Sequence, residues 1–181
     1  SKVEILNLSN EFVIAVISKE RFLDMENSSS YAGCTIKFRE DSIFLDPRNI
    51  ELGARIVTNL EKLYLSLKKL GLQSADKNEY YKLSHEIGIP QKNTDKLQNK
   101  LFGIECNFDE LNAIDFKKGC YVGQENTARI KLKGKLNKRL LPIEVIEGNL
   151  ENEIISVEKD EIGKVLITVS YTHLRAHETD Y

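Results

Sequence analysis

The chain has 181 residues, 41% of them apolar and 30% charged, with a formal net charge of −2 at pH 7. That length can bury one sizeable core, and those proportions are typical of a globular domain rather than a low-complexity one. No apolar run is long enough to cross a bilayer as a helix. Three widely spaced cysteines, Cys34, Cys106 and Cys120, argue against a disulfide framework and fit a reducing compartment.

The pattern along the chain is mixed α/β. Val3 to Leu8 reads as a strand, and Phe12 to Ser18 is a β-branched and aromatic run that reads as another. Glu20 to Glu26 suits a short helix, and Ser28-Ser29-Ser30 marks a loop. Thr35 to Phe38 and Ser42 to Leu45 are predicted strands joined by a charged turn at Arg39-Glu40-Asp41, and Pro47 interrupts any longer strand. Leu52 to Val57 is predicted as a further strand. Leu60, Leu63, Tyr64, Leu67 and Leu70 recur at helical spacing up to Gly71, a stripe expected to pack on a core. Asp76 is a suitable cap for a second helix running through Ile87, closed by Gly88-Ile89-Pro90. His85 reads as an ordinary polar position on that helix. A loop-rich stretch follows from Gln91 to Asn99.

The stretch Lys118-Gly119-Cys120-Tyr121-Val122-Gly123-Gln124-Glu125 carries the chemistry. Gly119 and Gly123 can take positive φ, so the backbone can turn sharply or approach a ligand closely. Gln124 to Lys133 is predicted as a short helix ended by Gly134, with Ala128, Leu132 and Thr127 near one face. Glu125 lies in its first turn and Arg129, Lys131 and Lys133 toward its end, as the helix dipole favours. Cys120 therefore precedes a helix start and follows Lys117 and Lys118, two features that stabilise a thiolate and lower a thiol from its free value of about 8.5. The alternative is a buried cysteine that only fills a packed turn. Asp115 to Arg139 holds eight basic and two acidic residues. This is either a solvated helix face or a surface that meets an anion. Phe116 and Tyr121 are the only rings nearby, which gives stacking on single-stranded nucleic acid little support.

Beyond Gly134 the texture changes. Leu140 to Val145, Glu153 to Glu158 and Gly163 to Val169 are predicted strands separated by charged turns, which reads as the start of a small β-barrel, with a boundary between Gly134 and Lys138. Ser170 to Thr179 resembles translated sequencing-adapter read-through. It holds His173 and His177, whose spacing imitates a metal pair, and it is left out of fold reasoning.

Asn112-Ala113-Ile114-Asp115-Phe116-Lys117 leading into Lys118 to Glu125, then Ala128-Arg129, resembles the signature of the YgfZ-type folate-binding proteins, relatives of the glycine-cleavage T-protein (aminomethyltransferase). Weaker matches flank it at Asp46-Pro47-Arg48 with Leu52-Gly53, at Glu105-Cys106-Asn107 and at Lys138-Arg139-Leu140, so that the likeness runs from about Val3 to about Ile167. The resemblance implies an α+β fold: the later part of an aminomethyltransferase-like folate-binding domain over residues 1–136 and an incomplete β-barrel over 137–169, followed by the adapter-like tail over 170–181. It also implies that a segment preceding Val3 in the family is absent here. The implied function is a folate-binding accessory factor for iron–sulfur cluster assembly or repair in client enzymes, tRNA-modifying enzymes included. Cys120 would be its working thiol, and Lys118, Gly119, Tyr121, Gly123, Gln124, Glu125 and Arg129 its folate-site residues. Tetrahydrofolate or a derivative is the implied cofactor, with a transient iron–sulfur cluster and no resident metal site. The implied partners are assembly or client proteins, and no membrane. The implied location is bacterial cytoplasm or the mitochondrial matrix. Two other classes stay open. One is a folate-dependent aminomethyl transferase, with Glu125 or Asp115 managing the proton. The other is a basic RNA-contacting module over Arg129 to Arg139.

Overall fold

The structure, a computed structural model, describes residues 2–134, 136, 138–146 and 154–168. The expected tail, with His173 and His177, lies outside the described residues, as do Glu153 and Val169 at the ends of two predicted strands. Two compact units make up the chain, one from Ser1–Ala75 and Asn107–Val122, the other from Asp76–Cys106 and Gly123–Tyr181.

The first unit is built on a four-stranded antiparallel sheet in the order β1-β4-β3-β2. Its strands are β1 Val13–Ile17, β2 Thr35–Phe38, β3 Asp41–Leu45 and β4 Ala54–Thr58. Strict alternation puts Ile43, Leu45, Ala54 and Ile56 on one buried face. Phe22 of helix α1, Lys19–Leu23, closes over that face, and Cys34 completes the cluster. A fully buried side chain such as Phe22 contributes roughly 1.5–3 kcal/mol by leaving water. Register is set by pairs such as Ile43↔Ile56 and Ala15↔Ile56. β2 and β3 join through a two-residue turn in which Arg39 and Glu40 both take positive φ, the geometry that matches the twist of a tight hairpin.

A 3-10 turn, Ile50–Leu52, leads into β4 through Gly53 at φ +77. A Cβ there would lie 2.1 Å from the carbonyl oxygen of Ile17, so no other residue fits. Helix α2, Leu60–Leu70, starts at an Asn59 cap, whose side chain accepts from Lys62 N at 2.8 Å, and stops at left-handed Gly71. The buried Thr58 hydroxyl donates to Asp41 at 2.6 Å, and Lys62 of α2 pairs with the same carboxylate at 3.4 Å. Thr58, with Lys62 and Lys37 behind it, holds the Asp41 carboxyl below its ordinary value.

Two expectations fail here. Residues 3–8 lie unpaired, with Val3, Ile5 and Leu6 exposed, because β propensity alone makes no strand without a neighbouring strand to bond. The α2 stripe is only partly inward. Leu63, Leu67 and Leu70 are half-buried, whereas Leu60 and Tyr64 are 68% and 66% exposed. The inward face is rotated onto Ser66, which satisfies its hydroxyl on Lys62 O at 2.7 Å.

In the second unit, α3, Lys77–Glu86, is capped by Asp76 and buries Ser84. Ile89 and Ile104 are its other buried residues among those described. Helix α4, Gln124–Lys133, matches its predicted span, but Leu132 is 87% exposed while Thr127, Ala128 and Ile130 are half-buried. β5, Ile154–Val157, and β6, Asp160–Lys164, form an antiparallel pair. β6 begins three residues before its predicted start. Leu140 to Val145 is no strand. Pro142 removes a ladder donor and sits against Gly88. No helix among the described residues is long and apolar enough to cross a membrane.

His85 is half-buried and its Nε2 accepts from the Gln91 backbone N–H at 3.2 Å. Burial, with Lys92 adding to it, lowers its pKa below the ordinary 6.5. The folded state therefore favours the neutral ring. Stability from this site is present above pH 6.5 and is lost as pH falls below that value, down to the folded pKa. Thermal melting should drop between pH 7 and pH 5, and His85→Gln should flatten that drop. The first unit offers a second test. Replacing Asp46, a fully buried carboxylate paired with Arg48 and Arg55, by Asn should destabilise the fold by about 3 kcal/mol in urea titrations.

Candidate functional site

Asp46 organises the loop after β3. Its carboxylate accepts from Arg48 N at 3.0 Å, Arg48 Nε at 3.0 Å and Arg48 Nη2 at 2.8 Å, and pairs with Arg55 Nε at 2.9 Å. Its own N–H donates to Gly53 O at 2.9 Å. Burial pushes its carboxyl up, and Arg55 beside it opposes the push. Two guanidiniums on one buried carboxylate are the partners that a charge in that position requires.

The segment carrying Cys120 joins this unit from far along the chain. One helical turn, with Leu111 N bonded to Asn107 O at 2.9 Å, ends at Asn112 in the left-handed region. Asn112 Nδ2 then donates to Pro47 O at 2.9 Å. Two sequence elements 65 residues apart, both part of the family resemblance, are thereby brought together. Asp115 next accepts from Lys117 N at 2.8 Å and tightens the backbone before the cysteine. Lys118 Nζ lies 5.0 Å from the centre of the Tyr121 ring, a cation–π contact. Cys120 is exposed. Gly119, although free to do so, does not take the left-handed conformation, and a Cβ there would meet nothing within 4 Å. Neither backbone nor crowding demands a glycine at that position.

The signature crosses from one unit to the other between Val122 and Gly123. Gly123, at φ +85, opens α4 as expected, and Thr127 Oγ1 donates to its carbonyl at 3.4 Å. Gln124 is half-buried. Glu125 and Arg129 pair across one helical turn at 2.6 Å, both exposed, the orientation that supports a helix. The two carboxylates considered for proton transfer are thus engaged: Asp115 on a backbone N–H and Glu125 on Arg129. The flanking matches also meet inside this unit. Leu140 N donates to Glu105 O at 2.9 Å, and Glu105 Oε2 accepts from Phe102 N at 2.8 Å. Among the described residues no group of three His, Cys, Asp or Glu side chains could hold a metal ion.

Sequence reasoning missed Asn112 and Arg55 as structural partners of the motif. The signal for Arg55 was its place two residues after Gly53, where strand alternation puts it on the face opposite Ala54 and Ile56. The three thiols differ in setting. Cys34 is 3% exposed, and Cys106 is half-buried with its pKa raised by burial and by Glu105. Iodoacetamide at pH 7.5 should therefore modify Cys120 first, Cys106 more slowly and Cys34 only on unfolding, read by peptide mass mapping.

No protein-family model matches the chain. Individual proteins do. It is 28% identical over 159 residues, 87% of its length, to "Iron-sulfur cluster assembly factor IBA57 homolog, mitochondrial" of Dictyostelium discoideum, of which it covers 38%. Over 97 residues, 54% of its length, it is 37% identical to the homologue of the same name in Neurospora crassa, covering 22% of that protein. Over 105 residues, 58% of its length, it is 35% identical to "Iron-sulfur cluster assembly factor IBA57, mitochondrial" of Mus musculus, covering 28%. The chain thus spans between 22% and 38% of the length of these curated relatives, and those homologues are named as mitochondrial iron–sulfur cluster assembly factors.

Proposed function

We propose that this chain is part of an iron–sulfur cluster maturation factor that works through the Cys120 thiol. The observation that carries the reading is a coincidence of chemistry and exposure. Of three cysteines, the one inside the signature is the exposed one, while Cys34 is buried and Cys106 half-buried. A thiolate is a ligand for iron and a nucleophile toward disulfides, and either use needs solvent access. The cluster is cargo in this reading and passes to or from client enzymes, tRNA-modifying enzymes among them. The compartment is the mitochondrial matrix, in line with the names of the relatives.

Folate is the second part of the reading. In it the four-stranded sheet belongs to a folate-binding domain of the aminomethyltransferase kind, and β5 with β6 opens a small barrel. A folate carries an anionic glutamate, and Lys118, next in the chain to the bare backbone of Gly119, is a cation suited to it. Tyr121, Gly123, Gln124 and Glu125 complete the folate-site set in this reading. The bound folate would contribute one-carbon chemistry, and the chain would contribute binding, orientation and the thiol. The aminomethyl-transfer alternative has less behind it, because Asp115 and Glu125 already have partners.

The test is complementation of a strain that lacks its own assembly factor, read as activity of iron–sulfur enzymes in extracts. Cys120→Ser should lose complementation while its melting temperature stays within about 2 °C, since an exposed substitution changes stability little. Full complementation by Cys120→Ser would remove the thiol role. Gly119→Ala meets no steric obstacle, so it should fold normally yet support maturation poorly. Full support by Gly119→Ala would show that nothing approaches the backbone there.

A further inference from the structure

We infer that Asn112 is a positioning residue: its side chain ties the Cys120 loop to the Pro47 carbonyl, which the Asp46 clamp holds in place. The inference rests on the reading of Cys120 as the working thiol.

The acceptor is fixed first. Pro47 has a ring-locked φ. It sits between Asp46, whose carboxylate and N–H are both bonded, and Arg48, whose N–H and guanidinium both return to Asp46. Its carbonyl therefore cannot swing without breaking charge-assisted hydrogen bonds.

The donor is fixed from its own side. Ala113 N bonds to Phe108 O at 2.8 Å and Asn112 N to Asp109 O at 3.1 Å. That pair of reverse bonds is the Schellman ending of a helical turn, with Asn112 at its left-handed position, φ +55. Asparagine is the common alternative to glycine there, and glycine would end the turn equally well. What asparagine adds is an amide, and the structure uses it on Pro47 O at 2.9 Å. From that anchor the chain runs through the Asp115–Lys117 turn to Cys120. The side chain of Asn112 thus sets where the Cys120 loop starts within the first unit, and Asp46 acts on the thiol through it.

The experiment separates backbone conformation from tether. Asn112→Gly keeps the left-handed ending and deletes the amide. Asn112→Asp keeps size and left-handed tolerance and deletes the donor. Both are compared with the unsubstituted full chain by hydrogen exchange, melting and the complementation assay. The expected result is a melting temperature shifted by no more than about 2 °C, exchange at the Ala113 and Lys117 amides faster by at least fivefold, and maturation support lower by at least fivefold. If one variant fails to fold, the other carries the measurement. Unchanged exchange at both amides in a folded variant overturns the tether. Faster exchange with undiminished support, where Cys120→Ser abolishes support, overturns its positioning role. If Cys120→Ser itself leaves support intact, the thiol reading fails instead, and the exchange arm still decides the tether.

Discussion

A carboxylate with no access to water needs compensating charge, and in this chain Asp46 obtains it from two guanidiniums at once. Arg48 comes from the same loop and Arg55 from the following strand. A single buried group therefore couples the end of β3 to the start of β4. Gly53, which alone fits beneath the Ile17 carbonyl, lets the chain return in time for Arg55 to arrive. The Asp-Pro-Arg and Leu-Gly elements of the sequence are thus one device rather than two. The first supplies the charge pair, and the second supplies the backbone path that completes it.

That device has a further consequence at a distance. The stiffened Pro47 carbonyl receives Asn112, and the segment leading to Cys120 starts there. In the other unit a long-range backbone–backbone bond runs from Leu140 N–H to Glu105 O. Each of these two bonds joins segments that are far apart in the sequence. The signature itself runs across the division, with Lys118, Cys120 and Tyr121 in the first unit and Gln124, Glu125 and Arg129 in the second. Cys120 lies on the surface and fills no core, and two residues before it in the chain the Lys118 ammonium rests on the Tyr121 ring.

Local signals were read well where one residue governs one local bond. Asp76 caps its helix by accepting from a backbone N–H two residues on, and Gly71 and Gly134 stop helices by turning left-handed. Such features appear in sequence because their physics spans only a few residues. Signals that depend on a neighbour were read poorly. Val3 to Leu8 and Leu140 to Val145 have strand composition and no ladder among the described residues. The leucine stripe of α2 has the right period but the wrong phase, since spacing fixes the width of an apolar face and not the side on which the sheet lies. Gly119 looked like a turn glycine and has an ordinary φ, because permission to adopt a conformation is not a requirement to do so.

By itself the sequence determined the strands of the four-stranded sheet, the Asp76 cap, the glycine stops and the signature around Cys120. Each is written in consecutive or regularly spaced side chains. Only the tertiary structure decided that Asp46 would be buried between Arg48 and Arg55, that Asn112 would reach Pro47, and that Cys120 rather than Cys34 or Cys106 would be exposed. Those outcomes depend on which distant segments pack together. Burial and long-range hydrogen bonds are properties of that packing, and no local propensity encodes them.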